Sequence, residues 1–244
     1  MNSSQHTTAL YEKGFTVLPA FYDAADCQDM REIMDDYWKS QGSPSLQQND
    51  FGFAIHPMLP QVPEIAKYLD ASEPLEILSE ALRQEARLMH VGARISGSQS
   101  APRIGWHNHY SWGEGNLPKR NRLERILTAV YVDGTTPESG SLIALPRQFN
   151  DPQGDCPNEG EHPDEIKVNA PAGSVVIFDT ALWHDAERGT GNGIRRLWGT
   201  HFQGWSDCRT HPEDNEVDTP KISSFKNHLP RLKAIVERED REQH

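Results

Sequence analysis

The pattern of hydrophobic and polar residues changes near residue 86. Before that point, apolar side chains recur at helical spacing after Asp23, a residue type that favours helix N-termini, and they predict a helix over about 23–41. The same spacing predicts an amphipathic helix over 74–85. A short run at 14–19 has the composition of a strand. The first third of the chain is therefore expected to be mainly helical.

From residue 86 onward, short runs of β-forming residues alternate with turns rich in Gly, Pro, Asn and Asp. The predicted strands cover 87–95, 103–110, 125–132, 141–145, 165–168, 174–179 and 194–203. A last helix is predicted over 229–241. Helices followed by a series of strands favour a β sandwich or barrel with helices packed outside it.

Charge and cysteine content exclude several classes of protein. With 24 basic and 36 acidic residues the net charge is −12, which argues against nucleic acid or an anionic membrane surface as a partner. No apolar run is long enough to span a bilayer, and the first residues lack the pattern of a signal peptide. The three cysteines (Cys27, Cys156 and Cys208) are far apart, which argues against a disulfide framework or a thiolate zinc site. We therefore expect a soluble, cytoplasmic protein.

The most informative segment contains His107 and His109. In a strand, residues two apart point to the same face, so the two imidazoles are expected to project together and to chelate a divalent metal. The alternative is that this His-x-His pattern consists of two surface histidines that bind no metal. A third imidazole, His184, follows an apolar strand and a short turn, and a jelly roll would bring it beside the first two. A hydrogen-bonded loop histidine is the alternative for this residue.

Two adjacent arginines, Arg195 and Arg196, lie in the last predicted strand. A buried arginine is costly without an anionic partner, and neighbouring strand residues face opposite ways, so we expect one guanidinium to point inward. Near a metal, that guanidinium would suit bidentate binding of a carboxylate co-substrate.

Four pieces of sequence, taken together, resemble the phytanoyl-CoA dioxygenase family of Fe(II)/2-oxoglutarate oxygenases over most of the chain. The pieces are EKGFTVLP from Glu12, WHNH from Trp106, TAVYVD from Thr128 with PESGSLIALP from Pro137, and PAGSVVIF from Pro171 followed by His184 and Arg195. The resemblance implies a mainly β fold, a double-stranded β-helix (jelly roll) with flanking α-helices. It also implies Fe(II), 2-oxoglutarate as co-substrate, O2, and oxidation of a small organic molecule.

The resemblance also assigns roles to individual residues. His107, His109 and His184 correspond to the metal ligands. Arg195, eleven residues after His184 as the family pattern expects, and Thr128 would bind 2-oxoglutarate. The substrate pocket is expected to include Trp112, Arg103 and Tyr110.

The chain departs from the family at one ligand, because His109 stands where relatives have a carboxylate. A three-histidine site would lack one negative charge beside the iron. Alternatively, Glu114 or Asp179 supplies the carboxylate, or the protein binds a metal or ligand without catalysis. A cupin-like three-histidine enzyme independent of 2-oxoglutarate is a further alternative. Against this alternative, the present chain has no histidine soon after Gly173, where the second cupin motif has one.

Two groups of residues near the expected site remain open to interpretation. A basic cluster comprises Lys119, Arg120, Arg122 and Arg125, and either contacts an anionic substrate group or forms a solvated face. Four tryptophans, Trp106, Trp112, Trp183 and Trp198, either line the pocket or pack in the core.

The length of 244 residues suits one β-barrel domain, with no repeat or linker. Within a single domain over 1–244 we expect a loose terminus at 1–9 and a mainly helical flank over 10–85. A jelly-roll core would cover 86–205, and a C-terminal segment with a helix would cover 206–244.

Overall fold

A computed structural model of the chain describes residues 1–47, 52–97, 103–109, 120–152, 154–158, 160–187, 189, 193–207 and 229–236. These residues form two antiparallel sheets. The larger sheet contains β1 (Phe15–Leu18), β2 (Phe53–Ile55), β3 (Ala86–Ser96), β4 (Arg125–Tyr131), β7 (Ser174–Asp179) and β9 (Arg195–Gly204), in the order β1-β7-β4-β9-β3-β2. The smaller sheet contains β5 (Leu142–Ala144), β6 (Ile166–Val168) and β8 (His184–Ala186), in the order β6-β5-β8.

The larger sheet is buried on both faces, and strand alternation assigns each residue to one of them. On β4, Leu127 and Tyr131 pack in a core shared with Leu142 of the smaller sheet. We call this side of the larger sheet the inner face. Ile126 and Val130 pack instead in the larger core that contains the helices, which we call the outer face. Two facing sheets with helices outside confirm the expected double-stranded β-helix with flanking α-helices.

The helices are α1 (Ser3–Lys13), α2 (Ala24–Ser40), α3 (Met58–Gln61), a 3-10 helix (Pro63–Asp70), α4 (Ser72–Leu82) and α5 (Pro230–Val236). The predicted helices at 23–41 and 74–85 correspond to α2 and α4. Asp23 begins α2 as expected, because its carboxylate accepts hydrogen bonds from the first-turn amides. No described helix is long and apolar enough to cross a membrane.

The expectation of a loose terminus at 1–9 is wrong, because α1 begins at Ser3. Asn2 and Gln5 form a capping box in which each side chain accepts a hydrogen bond from the other's backbone amide. His6 of α1 then contacts Thr16 of β1 through a buried hydrogen bond of 2.7 Å. Reciprocal capping and this buried contact fix the helix against the sheet.

Most predicted strands form with bounds that agree to within two residues. The run at 103–110 differs, because its described residues form isolated bridges, Arg103 with Glu187 and His107 with His184, rather than a strand. The flank expected over 10–85 also contributes β1 and β2 to the larger sheet. The jelly-roll core, expected over 86–205, therefore also includes two strands that lie before residue 86.

Candidate metal centre

Three imidazoles meet between the two sheets. His107 and His184 belong to neighbouring segments whose main chains exchange two hydrogen bonds of 2.9 and 3.0 Å. His109 is fixed by its own backbone amide, which donates to the carbonyl of Thr180 at 2.7 Å. One ligand atom from each of the three rings lies within 4.8 Å of the others, so a single ion is able to contact all three.

Backbone carbonyls set the tautomers of two of these rings. The Nδ1 atom of His107 lies 2.8 Å from the carbonyl oxygen of Gly105, and Nδ1 of His184 lies 3.0 Å from that of Leu182. A carbonyl only accepts, so each Nδ1 must carry the proton and donate it. Each Nε2 is left with a lone pair, which is the form in which neutral histidine binds a metal.

His184 is held neutral by its surroundings. It is buried, and burial lowers its pKa well below 6.5, with further lowering from the nearby His107 and His109. A neutral imidazole does not have to lose a proton before it binds a cation. Phe178 contacts its ring at 4.9 Å between centroids and contributes to the apolar wall around it.

The loop that carries His107 is held by a buried carboxylate. Oδ1 of Asp185 accepts a hydrogen bond of 2.8 Å from the amide of Gly105, the residue whose carbonyl fixes the His107 ring. Arg103 lies beside Asp185, with 3.7 Å between Nη1 and Oδ2, but its main partner is Glu165, to which it makes two hydrogen bonds of 2.6 and 2.9 Å. Arg103, expected in the substrate pocket, is thus bound into an ion pair.

The two adjacent arginines of β9 have different surroundings, as expected from their alternation. Arg195 is buried on the inner face, and its Nη1 donates to the carbonyl of Glu187 at 3.3 Å. Arg196 faces the helices and forms ion pairs with Asp35 and Asp133 at 2.8 and 3.0 Å. The inward guanidinium is therefore that of Arg195.

Thr128 was expected to bind 2-oxoglutarate, and its position contradicts that expectation. It lies between Ile126 and Val130 on the outer face of β4 and lines a small apolar gap with Trp198 and Phe202. The histidines lie on the opposite side of the sheet. Thr128 therefore contributes to packing against the helices.

The carboxylate alternatives differ in where they lie. Asp179 is buried beside Arg120 at 3.1 Å and accepts a hydrogen bond from the amide of Ala181, so it belongs to an ion pair outside the three-histidine group. Among the residues that the structure describes, the three histidines form the one group of this kind. Glu114, Tyr110 and Trp112 lie outside the described residues.

The basic cluster separates into residues with different roles. Arg120 pairs with Asp179, and Arg122 forms a short ion pair with Asp207. Arg125 lies on the inner face of β4, and Lys119 lies outside the described residues. Of the tryptophans, Trp198 is fully buried in the core beneath the helices, which is the core-packing alternative.

Three inner-face residues near the histidines were not singled out from the sequence. The His201 ring lies 5.3 Å from that of His109 and is stacked at 4.2 Å on His90. Tyr131 is buried on the same face towards Arg195, and burial raises its pKa to about 12, an effect that the charge of Arg195 opposes. Their contacts join distant stretches of chain, so no local motif indicates them.

The chain is similar in sequence to one known protein family and in fold to several solved structures. The family model described as phytanoyl-CoA dioxygenase (PhyH) matches residues 10–197. No curated protein sequence matches the chain.

Several solved structures share the fold at low sequence identity. HygX from Streptomyces hygroscopicus, solved with nickel and 2-oxoglutarate, has a TM-score of 0.65 and 15% identity over 83% of this chain and 87% of its own. EctD from S. alaskensis, solved with 2-oxoglutarate and 5-hydroxyectoine, has a TM-score of 0.67 and 16% identity over 90% and 82%. SnoK, an alpha-ketoglutarate-dependent carbocyclase from nogalamycin biosynthesis, has a TM-score of 0.63 and 13% identity over 84% and 86%.

Proposed function

Since the chain belongs to the phytanoyl-CoA dioxygenase (PhyH) family, we propose that it is an Fe(II)- and 2-oxoglutarate-dependent oxygenase acting on a small organic molecule. The observation that carries this proposal is the convergence of His107, His109 and His184 on the side of the sheet that also holds the buried guanidinium of Arg195.

The donor set fits iron. Imidazole nitrogen is a good ligand for Fe(II), and carbonyl partners leave Nε2 of His107 and His184 available. In this proposal His109 is the third ligand, in place of the family's carboxylate. Three protein ligands leave positions open on the ion for a chelating co-substrate and O2. Because all three ligands are neutral, the dianionic co-substrate would carry the compensating charge.

Arg195 would bind the carboxylate of 2-oxoglutarate that does not contact the metal. Its guanidinium is pre-organised for bidentate pairing with a carboxylate. Tyr131 stays protonated, because burial raises the pKa of its phenol to about 12, and it is a suitable hydrogen-bond donor to the same group. Arg94 also belongs to the inner face at this end of the sheet, opposite Leu197, but it is exposed. We therefore assign the role to Arg195.

When bound, iron with 2-oxoglutarate and O2 supplies the oxidation of a substrate C–H bond, with 2-oxoglutarate converted to succinate and CO2. The residues of this chain position the reactants: the histidines hold the ion, and Arg195 and Tyr131 orient the co-substrate. Phe178, which contacts the His184 ring, and Leu127, which is paired with His201 on the inner face, would limit access of water to the centre. HygX and EctD, which share the fold, were solved with 2-oxoglutarate, in line with this assignment.

The test uses anaerobic protein titrated with Fe(II) and 2-oxoglutarate, monitored by the visible charge-transfer band of the chelate, with succinate measured after air is admitted. We expect a saturable band in the wild type. Replacing Arg195→Met should raise the 2-oxoglutarate concentration at half-saturation about 10- to 100-fold, because charge-assisted hydrogen bonds are lost. Arg196→Met, which removes the same charge from the other face, is the matched control and should leave that concentration unchanged. Folded wild-type protein that gives neither band nor succinate would refute the proposal.

A further inference from the structure

Two more arginines face the interior of the barrel, at the end of the sheet opposite Arg195. Arg87 of β3 and Arg125 of β4 both pair with Gln203 of β9, one from each side. Residues paired across antiparallel strands project from the same face, and Gln203 lies two residues beyond His201 on the inner face. Arg87, Gln203 and Arg125 therefore form one row across the three strands.

This row lies next to the metal centre. The adjacent row contains His90, His201 and Leu127, and His201 contacts His109 at 5.3 Å between ring centroids. Successive rows on one face are separated by about 6–7 Å, two residues of strand. Arg195 lies eight residues before Gln203 on β9, beyond the His201 row. The metal centre thus lies between a guanidinium on one side and a pair of guanidiniums on the other.

Arg125 is held in place by neighbouring side chains. It is buried, its Nε donates to Nδ1 of His201 at 3.2 Å, and its Nη1 donates to Oε1 of Gln203 at 3.3 Å. Since Nδ1 of His201 accepts, neutral His201 carries its proton on Nε2 and is a donor there. Arg87 is half-buried, with its guanidinium over the ring of Trp205 at 5.2 Å.

The charge of this row indicates the ligand. Two guanidiniums on one row of the inner face, one of them buried, place positive charge beside the proposed metal position. Two guanidiniums on neighbouring sides of one residue match the several oxygen atoms of a carboxylate or phosphate. The chain as a whole has a net charge of −12, so this concentration of positive charge is local.

We propose that Arg87 and Arg125 bind an oxyanionic group, a carboxylate or a phosphate, of the organic substrate, and so select acids over neutral molecules. The proposal relies on the proposed function for the position of the substrate beside the metal, with 2-oxoglutarate on the Arg195 side. His201 contributes a further donor through Nε2. The oxidised carbon would lie between the oxyanion and the metal centre.

Binding can be measured without turnover. Protein loaded with redox-inert Zn(II) and saturated with 2-oxoglutarate is titrated with phenylacetate, phenyl phosphate or neutral phenylacetamide at constant ionic strength, followed by ligand-observed NMR. We expect at least one anionic probe to bind about tenfold or more tightly than phenylacetamide. Preference between phenylacetate and phenyl phosphate then distinguishes a carboxylate from a phosphate.

Variants assign the effect to this row. Arg87→Met and Arg125→Lys should each weaken binding of the preferred anion about tenfold and leave 2-oxoglutarate binding unchanged. Arg231 of α5 is an exposed arginine that pairs with Asp70. Arg231→Met removes its positive charge and should change neither anion binding nor 2-oxoglutarate binding. Arg87 is half-buried at the rim, so its variant keeps the test valid even where Arg125→Lys fails to fold.

Equal binding of acid and amide, absence of binding by all three probes, or unchanged anion binding in Arg87→Met would each overturn this inference. Failure of the wild type to bind 2-oxoglutarate would instead overturn the proposed function. The two proposals can therefore fail separately.

Discussion

The main chains of His107 and His184 exchange two hydrogen bonds, of 2.9 and 3.0 Å, while their imidazole rings lie 4.2 Å apart between centroids. The backbone hydrogen bonds thus hold together two residues separated by more than seventy positions. Because this frame does not depend on the rings, replacing a ring should alter metal binding more than folding.

His109 can be tested by adding or removing a ligand atom. We expect His109→Ala to weaken Fe(II) binding about tenfold or more, because one donor is lost, and His109→Asp to retain binding, because it supplies the carboxylate of the family pattern. Competition with a chromogenic chelator measures both affinities. His6→Ala, which removes a buried histidine of α1, serves as control. Normal affinity in His109→Ala would show that another group, such as Glu114, is the ligand.

Asp185 is expected to position His107 through Gly105. Asp185→Ala removes the acceptor for the Gly105 amide and should weaken metal binding about 10-fold, in the range seen for partners of metal ligands. Asp185→Asn keeps an acceptor oxygen and should lose less. Chelator competition on both variants, with circular dichroism to verify folding, separates positioning from simple destabilisation. Equal losses in the two variants would argue against this role.

The stability of the metal-free protein should depend on the protonation of His184. Its pKa is lowered well below 6.5 in the folded state, so as pH falls below about 6.5 the unfolded chain takes up a proton that folded His184 does not. The free energy of unfolding should therefore decrease, by at most about 1.4 kcal/mol per pH unit from this group. Urea denaturation between pH 8 and 5.5 measures the slope. His184→Asn should have a shallower slope, and parallel curves would contradict the assignment.

Arg196 is expected to stabilise the fold without contributing to catalysis. Its ion pairs with Asp35 of α2 and Asp133 connect a helix to the larger sheet. Arg196→Met should lower the free energy of unfolding by about 1–3 kcal/mol, because Asp35 loses its arginine partner and Asp133 keeps only Arg31. Urea denaturation provides the measurement. A variant with wild-type stability would show that these ion pairs contribute nothing to folding.

Local sequence patterns predicted many of the helices and strands. The alternation of β-forming runs with turns predicted most strands of the two sheets, and Asp23 marked the start of α2. Helix α1 was missed although Asn2 and Gln5 have the spacing of a capping box, because the helix lacks a strong apolar stripe. Strand β8 was also missed, since its three residues, His184–Ala186, have no strand-like periodicity.

Other features depend on contacts that no local pattern contains. Every residue of β4 is buried, so hydrophobicity does not show which face Thr128 occupies, and the role that the family resemblance implies for it requires the inner face rather than the outer one. The neighbours of His109 include His201, more than ninety residues away, and only strand register brings them together. By contrast, alternation required one of the two adjacent arginines to point inward, and the eleven-residue interval after His184 in the family resemblance selected Arg195.

Three imidazoles should bind one ion and leave it open to a chelating acid. The most direct measurement is anomalous diffraction at the iron edge from crystals grown anaerobically with Fe(II) and 2-oxoglutarate. We predict one anomalous peak about 2.0–2.2 Å from Nε2 of His107 and His184 and from a ring nitrogen of His109, with 2-oxoglutarate extending towards Arg195. A peak bound by only two of these histidines, or one whose remaining positions are closed by protein ligands, would contradict the account.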